Sequence, residues 1–214
     1  MYDLDKKIIF THPKKCGGTS VEKLLGFLDL RLQFPSVKPF KHASLSEHIN
    51  KLTGKNINTD DFLKFSIIRN PWDRAVSFYN HYKYRQYDFA IQQQKEEANI
   101  PMPEAVEDAR RLSFKDFIFK HFAHNFNSNV STIPYMFFDG KYYMDYVIRL
   151  ESIKKDLHDL QRKLQIDLRG GVPHHNNNDE FISRIPYQDY YDFETKNLIK
   201  RAFDWDIKTF NYIF

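Results

Sequence analysis

Cysteine is almost absent from this chain of 214 residues: Cys16 is the only one. An internal disulfide framework is excluded, and the expected setting is a reducing one, read here as the cytoplasm. Glycine is sparse as well. There are seven, four of them in two adjacent pairs, Gly17-Gly18 and Gly170-Gly171. No apolar run approaches the roughly 18 residues that a membrane helix requires, so no transmembrane segment is expected. The opening MYDLDKK carries acids early and only a short apolar run behind them, unlike a signal peptide. Neither sign of charge dominates. A net charge of +4 is too mild to announce a nucleic-acid binder, although it suits an anionic ligand.

What is abundant is aromatic. Twenty Phe and 13 Tyr contribute to 16% aromatic and 42% hydrophobic content, which excludes a disordered chain. The length suits one α/β domain with a real core, spanning residues 1–214 without internal repeats. Three strand-like runs stand out, at Lys7–Thr11, Phe65–Ile68 and Tyr146–Leu150. Each precedes a helical pattern, so the expected architecture is a central parallel β-sheet flanked by helices. Ile153, Leu157, Leu160 and Leu164 recur at helical spacing, a helix is expected over Phe114–Phe122, and Tyr187–Phe210 reads as one or two more. Gln92–Arg111 reads as a polar excursion and Arg169–Glu180 as a loop.

The segment IIFTHPKKCGGTSVEKLL, from Ile8 to Leu25, has the parts of a phosphate cradle. A short apolar strand enters a turn with Lys14, Lys15, Gly17 and Gly18, then Thr19 and Ser20 open a helical pattern. Glycines let backbone N–H groups approach an anion, hydroxyls sit at the helix start, and lysines supply charge. It is not a Walker A loop, because the lysines precede the glycines. Nor is it a phosphatase-type loop, since Glu22 stands where an arginine would have to follow Cys16. A plain glycine-rich β-to-α turn with exposed lysines fits this segment equally well.

A second segment, FSIIRNPWDRAVSFYNHY from Phe65 to Tyr82, adds an arginine at the carboxyl end of a strand, where ligands collect in open α/β sheets. Asn70 is a good N-cap, Pro71 suits the first helical position, and Arg69 is placed to clamp an anion. Trp72, Ala75, Val76 and Tyr79 form the apolar face of that helix. Arg74, Ser77 and His81 fall opposite, where Arg74 and His81 are expected to be solvated.

Together these segments resemble the PAPS-dependent sulfotransferases, in particular the broad family of carbohydrate sulfotransferases and their bacterial relatives. That family carries a 5′-phosphosulfate loop, Pro-Lys-x-Gly-Gly-Thr-Ser, and a 3′-phosphate motif of a strand-end arginine with a serine eight positions later. Here the first reads PKKCGGTS, Pro13 to Ser20, and the second runs from Arg69 to Ser77. The first motif departs by one extra lysine. DYVIRLESIKKDL, from Asp145 to Leu157, resembles the family's late strand, glutamate (Glu151) and helix. PHHNNN, from Pro173 to Asn178, and DWDIKTFNY, from Asp204 to Tyr212, resemble its closing pattern.

The resemblance implies a P-loop-like fold and transfer of a sulfuryl group from PAPS to an acceptor hydroxyl, releasing adenosine 3′,5′-bisphosphate (PAP) without a metal. The turn residues Lys14, Cys16, Gly17, Gly18, Thr19 and Ser20 would hold the 5′-phosphate, and Arg69 with Ser77 the 3′-phosphate. Aligned on the glycines, Lys15 is the catalytic lysine, with Lys14 in the place of the motif's proline. Among nine histidines, His42 is the expected general base because 2-O-sulfotransferases place one similarly; His12 is the runner-up, with orientation of the loop as its other role. Glu151 is a second base, a group that holds an arginine or lysine in the site, or a buried salt-bridge partner at a strand end. The acceptor is expected to be a carbohydrate. Two other classes stay open: a P-loop-like small-molecule kinase, for which Asp145 is the nearest magnesium ligand, and a non-catalytic nucleotide or polyanion binder.

Overall fold

The structure, a computed structural model, describes residues 1–26, 42–84, 104–123, 131–164 and 185–214. Along the chain the elements are β1 (Tyr2–Asp3), β2 (Ile8–Thr11), α1 (Gly18–Leu24), α2 (Leu45–Thr53), β3 (Leu63–Ile68), α3 (Pro71–Tyr84), α4 (Glu104–Arg111) and α5 (Phe114–Phe122). The hairpin strands β4 (Phe137–Phe138) and β5 (Lys141–Tyr142), then β6 (Tyr146–Arg149), α6 (Ile153–Leu164), α7 (Phe193–Ala202) and α8 (Asp204–Phe210) follow. They fall into two compact units, Met1–Arg69 with Asn127–Asn176 and Asn70–Phe126 with Asn177–Phe214.

The first unit holds a four-stranded sheet in the order β1-β2-β3-β6, with β2, β3 and β6 parallel and β1 antiparallel at the edge. Alternation along the strands sorts the side chains onto two faces. Ile8, Phe10, Phe65, Ile67 and Ile148 pack against Val21 and Leu25 around α1 and Leu157 and Leu160 of α6. Ile9 turns the other way, onto Leu45, Ile49 and Leu52 of α2 and Phe62. Both faces of β2 are thus covered, which is why all four of its residues are buried. The expected parallel sheet flanked by helices is present.

Details differ. Lys7 precedes β2 with a left-handed φ of 50°, and Leu150 leaves β6 for a 3₁₀ turn, Leu150–Ser152. β3 begins earlier than expected because Lys64, although buried, donates its ammonium to the carbonyls of Thr59 (2.7 Å) and Phe62 (2.8 Å). Three elements were not anticipated. β1 is only two residues long. α2 is announced by a capping box, in which Ser44 accepts from the Glu47 N–H at 3.2 Å and Glu47 accepts from the Ser44 N–H at 2.6 Å. The β4–β5 hairpin turns on Asp139 and Gly140, at φ 47° and 72°, the pair that a tight two-residue turn requires.

The second unit is helical. The Asn70 side chain caps α3 by accepting from the Trp72 N–H at 3.1 Å, as its position predicts. Trp72, Ala75, Val76 and Tyr79 are buried. The expectation for Arg74 is corrected: it is 1% exposed, because its guanidinium lies over the rings of Phe78 (5.5 Å) and Phe203 (5.8 Å). His81 is half-buried rather than solvated. α5 matches its expected span and is capped by Ser113, which accepts from the Asp116 N–H at 3.1 Å. The C-terminal stretch resolves into a 3₁₀ turn, Tyr187–Tyr190, and the two helices α7 and α8. Residues 92–103 of the polar excursion and the whole Arg169–Glu180 loop lie outside the described residues.

Candidate active site

The turn between β2 and α1 gathers Lys14, Lys15, Cys16, Gly17, Gly18, Thr19 and Ser20 at the carboxyl end of the parallel strands. Its backbone is unusual at two points. Lys15 has φ 65° and Gly17 φ 80°, both left-handed, a conformation that disfavours every residue but glycine. Gly17 is the N-cap of α1, and no side chain caps the helix. No acidic residue occupies its first turn. The amides that open a helix have no intrahelical acceptor, so this end is suited to an anion. One of them is already engaged, since the Ser20 N–H donates back to the Gly17 carbonyl at 3.1 Å. Ser20 is also 7% exposed, whereas Thr19 is half-buried. Cys16 contributes no reactive group to the surface. It is fully buried in the core beside Phe10 and Val21, with its thiol directed at the Lys14 carbonyl.

Two neighbours fix the glycines. A Cβ on Gly18 would sit 2.2 Å from both Cγ and Nδ1 of His12, and one on Gly17 would sit 2.6 Å from Cδ1 of Leu150. Their absent side chains are therefore demanded by packing. Leu150 was not anticipated as a wall of the turn. Strand alternation through β6 places it there, while its neighbour Glu151, the residue singled out by sequence, is exposed. The expectation that Glu151 is buried is thereby corrected.

Arg69 and His42 converge on the same turn from different elements. Arg69 follows β3, is half-buried, and donates from Nη1 to the Lys15 carbonyl at 3.3 Å. His42 lies ahead of α2 with Nδ1 3.2 Å from the His12 carbonyl. A carbonyl only accepts, so Nδ1 carries the hydrogen and a neutral His42 keeps its Nε2 lone pair. His12 itself is 2% exposed, and its Nε2 lies 2.6 Å from Oε1 of the fully buried Glu22. With that nitrogen engaged, His12 is not an open base. Ser77 belongs to the second unit, half-buried within α3. His158 is exposed on α6.

A model of the sulfotransferase family matches residues 1–213. The chain belongs to the sulfotransferase family. No curated protein and no solved structure matches it. Membership makes the chain a transferase of sulfuryl groups on a P-loop-like fold, and the β2–α1 turn lies at the carboxyl end of its parallel strands. Among the described residues, no group of three or more His, Cys, Asp or Glu side chains is gathered as metal ligands would be, and no helix is long and apolar enough to cross a membrane.

Proposed function

We propose that this sulfotransferase moves a sulfuryl group from PAPS to a hydroxyl, most simply that of a carbohydrate, and releases PAP. The observation that carries the reading is the convergence on one turn of a strained lysine, an uncapped helix start and the Arg69 guanidinium. The residues suit such a donor. Gly17, partly exposed at the N-cap, brings no side chain of its own to the turn, Thr19 offers a hydroxyl, and Lys14 and Lys15 supply positive charge beside it. Arg69 and Ser77, joined by the motif spacing, are assigned to the 3′-phosphate.

The chemistry asked of these side chains is positioning and charge stabilisation, since sulfuryl transfer, like phosphoryl transfer, needs little covalent help. Lys15 offsets the charge that develops on the bridging oxygen as the sulfur–oxygen bond breaks. His42 accepts the acceptor's proton at Nε2 as its oxygen bonds to sulfur. The family match favours sulfuryl transfer over the kinase reading, and the Asp145 carboxylate accepts from the Lys64 backbone N–H at 2.7 Å.

Calorimetric titration with PAP tests the nucleotide assignment. Arg69→Ala is expected to weaken binding by about 1.5–3 kcal/mol, the worth of one charged hydrogen bond. His42→Ala is expected to leave PAP binding intact and to abolish transfer from labelled PAPS to a panel of glycans and phenols. Unchanged affinity in Arg69→Ala refutes the first role. Joint loss of binding and transfer in His42→Ala makes that residue structural. Binding of PAPS with no turnover across the panel would instead support a non-catalytic binder.

A further inference from the structure

Glu22 is fully buried on α1, one helical turn behind the glycines. A carboxylate withdrawn from water costs several kcal/mol unless it is paired and hydrogen-bonded. Its partner here is His12, the last residue before the turn's Pro13, at 2.6 Å. Two hydrophobic residues of the same volume would fill this space at least as stably. What the pair adds is a fixed ring orientation, because a carboxylate oxygen holds one imidazole nitrogen in one place.

Three structural elements depend on that ring. Its Cγ and Nδ1 occupy the space directly against Gly18. Its face stacks on Phe10 of β2, with centroids 5.4 Å apart, and His42 meets it edge-on at 4.6 Å. The carbonyl of the same residue receives the His42 Nδ1–H. The other titratable groups of these elements are Lys14, Lys15 and Cys16 on the turn, Lys23 on α1, and Glu47, His48 and Lys51 on α2.

We propose that Glu22 is a positioning residue: through His12 it sets the height of the Gly18 amide in the turn and the tautomer of His42, so one buried pair aligns the anion cradle and the base. This rests on the reading of the turn as the nucleotide site and of His42 as the base. Glu22 is fully buried, so it acts on the turn through the side chains it packs against, His12 among them.

The test compares wild type with Glu22→Gln, which can still accept from the His12 Nε2–H, and with Glu22→Leu, which cannot. Ring ¹³C and ¹⁵N shifts of labelled histidine report the His42 tautomer, and calorimetry with PAP reports the cradle. Wild-type His42 is expected as the Nδ1–H form. Glu22→Leu is expected to bind PAP about tenfold more weakly, the worth of one hydrogen bond, and to lose the single His42 tautomer. Glu22→Gln is expected to keep that tautomer and to stay within about threefold of wild type in affinity. A folded Glu22→Leu that binds PAP like wild type overturns the proposal, as does an Nε2–H tautomer of His42 in wild type. Equal losses in the Gln and Leu variants overturn it too, since they would assign the effect to charge rather than orientation. If Glu22→Leu does not melt cooperatively, the wild-type and Gln measurements decide. A wild type that binds no PAP refutes the nucleotide reading, while the tautomers still decide the role of Glu22.

Discussion

Replacing Gly18 by alanine isolates the packing that shapes the cradle. Gly18 is the first residue of α1 and needs no left-handed backbone. On propensity alone, alanine would stabilise a helix by up to about 1 kcal/mol. The structure reverses that sign. The added methyl would lie 2.2 Å from Cγ and Nδ1 of His12 and 2.7 Å from its Cβ, well inside contact distance. These atoms are the near end of the side chain, and Glu22 holds the far end, so rotation cannot relieve the clash. Overpacking of this kind costs about 1–3 kcal/mol. For a chain of this length that corresponds to a melting temperature lower by about 2–12 °C. Gly54→Ala is the control. It sits at the end of α2 with φ −62° and its nearest atom is the Asn50 carbonyl oxygen at 3.2 Å, so its change is expected within about 1 kcal/mol. Thermal melts by circular dichroism, paired with PAP titration, read both effects. A Gly18→Ala variant that melts at or above wild type and binds PAP normally would refute the claim that His12 and the turn are packed as a unit.

Lys15→Ala is expected to lower transfer from labelled PAPS by about 10²–10³-fold, the usual loss of a charge-stabilising group, while Lys14→Ala keeps most of it; the reverse order would exchange their roles. Arg74→Ala is expected to destabilise by about 2–4 kcal/mol in urea denaturation, as a buried side chain does, whereas a change under about 0.5 kcal/mol would mean a solvated residue. Burial first, and the nearby Met1 amino group second, lower the His48 pKa to about 2. A histidine held neutral in the fold contributes stability that is complete above its unfolded value of about 6.5 and is lost as pH falls below it. Urea denaturation at pH 5 should therefore show about 2 kcal/mol less stability from this group than at pH 7.5, and His48→Gln should flatten that slope.

The sheet was legible because its strands are buried on both faces and read as continuous apolar runs. Ile8–Phe10 and Phe65–Ile68 could scarcely be anything else. The turn between β2 and α1 was legible for a related reason: a pair of glycines after an apolar strand and before a helical pattern marks a tight β-to-α connection. Short-range signals were present but passed over for α2, whose Ser44 and Glu47 spell a capping box, and for the hairpin at Asp139-Gly140. Other features were not legible in principle. Glu22 and Arg74 sit at positions whose neighbours in sequence are polar or mixed, and a buried charge looks like a solvated one until its partner is seen. Those partners, His12 and the rings of Phe78 and Phe203, are respectively in another element and, for Phe203, far along the chain.

The two adjacent lysines are separated by their backbones rather than by their side chains. A left-handed lysine costs about 1–2 kcal/mol, and such a residue persists only where its surroundings over-determine it. At Lys15 those surroundings are the Gly17 turn and the Arg69 guanidinium on the Lys15 carbonyl. Lys14 has no such conformation. Arg69 thereby enters the site twice: as the strand-end cation of the second motif and as the group that holds the first motif's lysine in its strained form. Removing Arg69 deletes a charge and also releases Lys15, so its effect on transfer should exceed its effect on PAP binding. The order of the motifs along the chain follows from the same contact. β2 and β3 are hydrogen-bonded parallel neighbours in the sheet, so a residue at the end of β3 lies beside the turn that leaves β2.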